Sequence, residues 1–428
     1  MPKGGVAPFY CEMNTSFLPS LPLELSYPLL FGALLVAGVM GGELARLVRL
    51  PRILGYVLVG IAVSPLAAMM HIGPLIDQAR IFVDLALGLV LFELGRRMDL
   101  RWMRRDWSLA ATGIAESLLA FAAVFVLLVQ ALDIAPVRAG IAAGIAMTTA
   151  PSVLLFMSHE TRSEGQVTER AINLAALNCL LASIIVTILL GSAHFVRSRV
   201  EIETAVLHPL YLFTGSVVLG AFMAMVTRVV ARSVERSSDM HFTLVAGMVT
   251  AAVGLATLLK LPVILALLAF GLFARNDERG HDLLNVNLAP VGRLLYIVLF
   301  VITGASLPLA SLGTAFGLGL AFAAARFAGK FIGVLIFAPV GGLSLRQAVG
   351  LGLAVTPMST LALLMQHDIG RLFPSFDRDL GDIFAAALLI MEILGPLAVA
   401  YGFRIAGESV PSLTGKYRAY RPDAAGTS

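Results

Sequence analysis

Long apolar runs separated by short polar breaks make up most of this chain. A bilayer core takes about 20 mostly apolar residues per helix, and runs of that length recur from residue 27 to residue 403. With polar breaks, Pro and Gly as boundaries, the pattern predicts thirteen spans. They lie at roughly 27–46, 52–70, 77–96, 107–132, 137–158, 168–191, 205–231, 240–259, 261–275, 287–307, 312–339, 346–366 and 380–403. The ninth is short and follows Lys260-Leu261-Pro262 closely, so a count of twelve is the alternative. The runs are continuous rather than alternating, which argues against an outer-membrane barrel. Glu12, Glu24 and several prolines interrupt the first 26 residues. They do not read as a signal peptide, and the first span is expected to be retained.

Composition narrows the class further. The chain of 428 residues is 58% hydrophobic and 14% charged, with a mean hydropathy of +0.88. A soluble domain carries about 25% charged residues, so a soluble protein is excluded. Disorder and a scaffold of disulfides are excluded too, the latter by a content of 2 Cys. What remains is an all-α polytopic membrane protein. Its Lys and Arg gather in alternate loops. Arg46, Arg49 and Arg52 follow the first span, and Arg96, Arg97, Arg101, Arg104 and Arg105 follow the third. Basic loops stay on the cytoplasmic side, which places the N-terminus outside and the C-terminus in the cytoplasm. The sequence pI of about 9.2 is thereby accounted for without nucleic acid. Lys416, Arg418 and Arg421 in the tail are placed to meet anionic lipid.

The chain also repeats itself. The segment Gly144–Glu160 aligns without a gap on Gly352–Asp368. Thr148 falls on Thr356, Met157 on Met365, His159 on His367 and, upstream, Arg138 on Arg346. Leu50-Pro51-Arg52-Ile53-Leu54 reads against Leu261-Pro262-Val263-Ile264-Leu265, with Gly60 on Gly271. Leu91-Phe92…Gly95 reads against Leu299-Phe300…Gly304. The first six spans thus correspond to the last six, with the seventh as linker. An odd number of spans separates partners, so partners cross in opposite directions. Such inverted repeats are typical of secondary transporters with a site at the membrane midplane. The expected divisions are an outer tail 1–26, a first repeat 27–191, a linker with span seven 192–239, a second repeat 240–403 and a cytoplasmic tail 404–428.

Spans five and twelve are repeat partners, and each carries a Thr/Pro cluster at mid-depth. One is Thr148-Thr149-Ala150-Pro151-Ser152, the other Thr356-Pro357-Met358-Ser359-Thr360. Pro removes an N–H and disrupts the preceding turn, and hydroxyls can satisfy the freed groups. Pro151 and Pro357 therefore mark expected helix breaks, with Thr148, Thr149, Ser152, Thr356 and Ser359 as candidate ion ligands. A plain kink is the bland alternative. Ionisable groups at membrane depth are functional candidates by default. Lys330 lies near the middle of span eleven, with Arg326 one turn before it. Glu116 and Glu392 are the best carboxylates to oppose them, with Asp84 and Glu93 also available. All 7 His fall near loops or span ends, which argues against a histidine relay.

Taken together, these motifs resemble the monovalent cation:proton antiporter-2 family of sodium/proton exchangers, over about residues 27–403. Pro51–Pro65 resembles its second-span signature and Asp84–Leu100 its third, although Arg96 and Arg97 replace apolar and acidic residues. Gly329-Lys330-Phe-Ile-Gly333 resembles its basic-residue helix. The resemblance implies a homodimer with spans 1, 2, 8 and 9 as scaffold. It also implies a sliding core of spans 3–6 and 10–13 that exchanges sodium, potassium or lithium for protons. One departure stands out. The family's helix after the first broken span ends its motif in an Asp that binds the cation or proton. Here the matching pair is Asn178-Cys179. A thiol is a soft ligand and a poor partner for hard monovalent cations. Buried Cys is usually an inert hydrophobe.

Two functions follow as expectations. The first is a secondary transporter exchanging a monovalent cation for protons by elevator-type alternating access, in a bacterial inner membrane. The second is a non-coupled, channel-like or anion-transporting relative that lost exchange with the Asp. No Walker A, HExxH or GxSxG motif occurs. Neither an enzyme activity, a cofactor nor a transition-metal site is expected.

Overall fold

The computed structural model describes residues 27–69, 73–98, 106–198, 202–233, 238–276, 289–307, 312–358, 360–372 and 374–409. Every α-helix among them sits on one of the expected spans. α1 (Tyr27–Leu47), α2 (Arg52–Met69) and α3 (Gly73–Arg97) cover the first three. α4 (Trp107–Val126) is the fourth, extended by a π-helical turn at Leu127–Ala131. The fifth is split into α5 (Pro136–Ala146) and α6 (Pro151–Glu160). α7 (Gln166–Ser198), α8 (Ile202–Ala231), α9 (Ser238–Leu258), α10 (Val263–Asn276), α11 (Ala289–Ala305) and α12 (Leu312–Phe337) follow. The twelfth span is again split, into α13 (Leu345–Ala354) and α14 (Thr360–Leu372), before α15 (Pro374–Ala406). Seven helical segments among the described residues are long and apolar enough to cross a membrane. Three shorter apolar stretches, Arg52–Pro65, Val263–Asn276 and Leu294–Ala305, accompany them.

Local sequence explains the split helices. Pro136 and Pro151 stand at the first position of α5 and α6, where the missing N–H costs nothing. α13 begins with a capping box. The Ser344 hydroxyl accepts from Gln347 N, and the Gln347 side chain accepts from Ser344 N. Ser344 is not a membrane-depth residue by pattern, so the box fixes where the second broken span starts.

Packing reproduces the repeat in space. Gly60 of α2 faces Gly304 of α11 so closely that a Cβ on either would strike the other helix's backbone. Gly95 of α3 faces Gly271 of α10 in the same way. The sequence repeat exchanges Gly60 with Gly271 and, with a one-residue gap after Phe92 and Phe300, Gly95 with Gly304, and so exchanges one contact for the other. Two apolar cores result. One joins α2, α3, α10 and α11 around Phe92, Phe270 and Phe300, and the other joins α5, α12 and α15 around Phe322, Phe376 and Phe384. α1, α8 and α9 expose Met40, Val218, Phe222 and Leu258, as helices against lipid do.

Candidate ion site at the crossing of two broken helices

The two breaks touch each other directly. α5 ends at Ala146, and Ala150 is extended before Pro151 opens α6. Ala150 N donates to Pro357 O at 2.9 Å, and Thr149 Oγ1 donates to Val355 O at 3.2 Å. The carboxyl ends of α5 and α13 therefore come together, with backbone carbonyls that have no helical partner.

Arg326 of α12 collects these carbonyls. It is wholly buried. Its Nε donates to Ala146 O at 2.8 Å and its Nη2 to Pro357 O at 3.2 Å. The guanidinium also donates to Thr148 O and Thr356 O. Each helix carboxyl end carries roughly half a negative charge, so two ends balance one guanidinium. This accounts for an arginine at membrane depth with no carboxylate against it.

Lys330, one turn further along α12, has a carboxylate instead. Its Nζ lies 3.3 Å from Glu116 Oε2 and 3.0 Å from Thr149 Oγ1. Both side chains of the Lys330–Glu116 pair are fully buried. At an effective dielectric of about 20, charges at this separation attract by about 5 kcal/mol. Burying each ion costs several kcal/mol, so the pair persists only with further hydrogen bonds. Asn178 of α7 supplies them, its Nδ2 donating to Glu116 Oε1 at 2.7 Å and to Thr149 Oγ1 at 2.9 Å. Ser117 Oγ fixes the amide by donating to Asn178 Oδ1 at 2.8 Å. Gly333 makes the approach possible, because a Cβ there would run into the backbone of Glu116.

The other sequence candidates are distributed around this centre. Cys179 is buried, and its thiol donates to Thr149 O at 3.5 Å. Thr148 and Thr356 donate back to Ile145 O and Gly352 O of their own helices. Ser152 is buried with a hydroxyl that has no hydrogen-bond partner. Ser359 lies outside the described residues. Glu392 of α15 is 1% exposed, and neither carboxyl oxygen has a partner. It therefore shares no hydrogen bond with the Glu116 cluster. Glu93 pairs with Arg96 and Arg97 at the end of α3. The small-residue pair Gly329–Gly333 reads in sequence as a place of close helix packing, and it is one; sequence reasoning passed over Ser117. The signal for Ser117 was its place directly after an intramembrane Glu.

The model of the transmembrane sodium/hydrogen exchanger family matches residues 31–401. The chain belongs to the sodium/hydrogen exchanger family. Two solved structures of the sodium proton antiporter MjNhaP1 from Methanocaldococcus jannaschii share the exchanger's fold. The structure at pH 8 has a TM-score of 0.61 and 15% identity, covering 89% of this chain and 95% of that one. The electron-microscopy map has a TM-score of 0.68 and 16% identity, covering 92% and 100%. No curated protein sequence matches the chain. The antiporter-2 branch expected from the motifs is compatible with the family. The exchanger has no carboxylate at 179, yet it has one at the crossing, carried by Glu116 on a different helix.

Proposed function

We propose that this exchanger moves a monovalent cation, sodium or potassium, against protons, with Glu116 in place of the absent Asp. The carrying observation is the buried Glu116–Lys330 pair, held by Asn178 and Thr149 beside the two breaks. Arg326 already balances the helix ends, so the pair has one negative and one positive charge of its own. A metal cation reaching Glu116 competes with the Lys330 ammonium for the same carboxylate. If the cation binds while Lys330 gives its proton to water, the charge in the site stays constant. One cation bound then corresponds to one proton released, which is the stoichiometric basis of exchange. The Thr149 and Ser152 hydroxyls offer neutral oxygens of the kind that hard cations take.

Alternating access follows the elevator scheme, with α3–α7 and α11–α15 as the moving core against a scaffold of α1, α2, α9 and α10. The contacts Gly60–Gly304 and Gly95–Gly271 lie on that boundary and support it. A homodimer through the scaffold, a bacterial inner membrane and a cytoplasmic C-terminus complete the reading. The anion-transporting alternative is less well supported, because the two cations at the crossing are engaged, Arg326 by carbonyls and Lys330 by Glu116. The test is purified protein in proteoliposomes with an imposed pH gradient. Added sodium or potassium should dissipate the gradient, and no dissipation by either cation across the pH range would sink the proposal.

A further inference from the structure

Among the described residues, Glu392 is the one buried carboxyl that the exchange site leaves unused. Its placement can be followed along α15, which runs antiparallel to the second broken span. Gly402 and Ala406 lie against Gly350, Gly402 also against Leu353 and Ala354, and Gly395 against Pro357. Continuing that register sets Glu392, one turn before Gly395, level with the first turn of α14. The free N–H groups of a helix amino end carry about half a positive charge and favour an anion. Yet neither oxygen of Glu392 has a hydrogen-bond partner. An ionised carboxylate with neither donor nor cation is far costlier in a dry interior than a neutral acid.

The described charged side chains of neighbouring helices are turned elsewhere. On α12, Arg326 faces the carbonyls and Lys330 faces Glu116. On α13, Arg346 donates to Ile405 O. On α6, Glu160 accepts from Arg52 N of α2, and His159 is engaged as well. The Arg52 side chain is paired with Glu43. On α7, Arg170 pairs with Asp106 and Arg97 of α3 approaches Glu169. On α14 the titratable residues are His367, Asp368 and Arg371. No described charge acts on Glu392.

We propose that Glu392 is a second proton-binding site, distinct from the Glu116–Lys330 pair, which holds its proton in this conformation and releases it once water reaches the amino end of α14. In that step the carboxyl O–H bond breaks heterolytically, the electron pair stays on the carboxylate, and the proton passes to water. This site would make proton release steeper in pH than the Lys330 ammonium alone allows, a consequence that rests on the exchange reading.

Two measurements test it, only one of which needs transport. Infrared difference spectra of wild type and Glu392→Gln at neutral pH should show a protonated-carboxyl stretch present in the former and lost in the latter. Glu392→Asp should keep such a band at a shifted position. In proteoliposomes Glu392→Gln should still exchange, with a shallower pH profile than wild type. A spectrum unchanged by Glu392→Gln, or an identical pH profile, would each overturn the proposal. Absence of exchange in the wild type itself would instead count against the exchange reading and leave the infrared result to decide on Glu392.

Discussion

Lys330 and Glu116 show how charge survives at membrane depth. The attraction across 3.3 Å does not by itself offset the dehydration of two ions, so Asn178 and Thr149 are as much part of the pair as the charges. Removing one member leaves the other uncompensated. Lys330→Met should therefore lower stability by about 3–5 kcal/mol. The double variant Glu116→Gln with Lys330→Met should recover most of that loss, and thermal unfolding in detergent measures both. Equal destabilisation by single and double variants would show that the pair is not coupled. Cys179→Asp bears on the departure from the family pattern. It adds a second carboxylate beside Thr149, whose hydroxyl binds Lys330. Exchange should persist with a shifted pH profile, and an unchanged profile would place 179 outside the ion pathway.

Helices in this protein are positioned by what is missing from them. Gly60 and Gly304, and their repeat mates Gly271 and Gly95, let two helix pairs approach at backbone distance. Gly60→Ala and Gly271→Ala should each destabilise by about 1–3 kcal/mol through overpacking. They should also slow transport to similar extents, because the repeat relates the two contacts. A large effect at one and none at the other, in matched transport and stability assays, would argue against equivalent roles. A different device fixes α7, the helix of Asn178. Glu408, just past α15, accepts from Val167 N at 2.7 Å and Thr168 N at 2.8 Å. It thus caps the first turn of α7 from a distant part of the chain. Glu408→Ala should cost about 0.5–2 kcal/mol, the range for losing a cap, by the same unfolding measurement. Neither device was foreseen from sequence, since a glycine contact and a cap in trans both depend on which helices become neighbours.

At the scale of the whole molecule, the fold was legible and the site only half so. Apolar run length located the spans, because lipid forces every backbone polar group into helices. The Thr/Pro clusters located both breaks, because a proline ring interrupts the hydrogen-bond ladder wherever it sits. Lys330 and Arg326 were set against Glu116 and Glu392 in sequence, with Asn178 beside the missing Asp, but which carboxylate meets which cation was left open. Arg326 illustrates why. Its partners are main-chain carbonyls, which no side-chain pattern records, and they converge only when α5 and α13 cross. Glu116 and Glu392 were indistinguishable as candidates in sequence, and the structure separates them by placing one against Lys330 and the other alone. The central claim is that the carboxylate of this exchanger has moved from the helix of Cys179 to that of Glu116. The most direct test compares cation-dependent proton flux of wild type and Glu116→Gln, each shown to be folded, in identical proteoliposomes. Exchange by the wild type with a variant no faster than empty vesicles is the expected result, and full exchange by Glu116→Gln would contradict the claim.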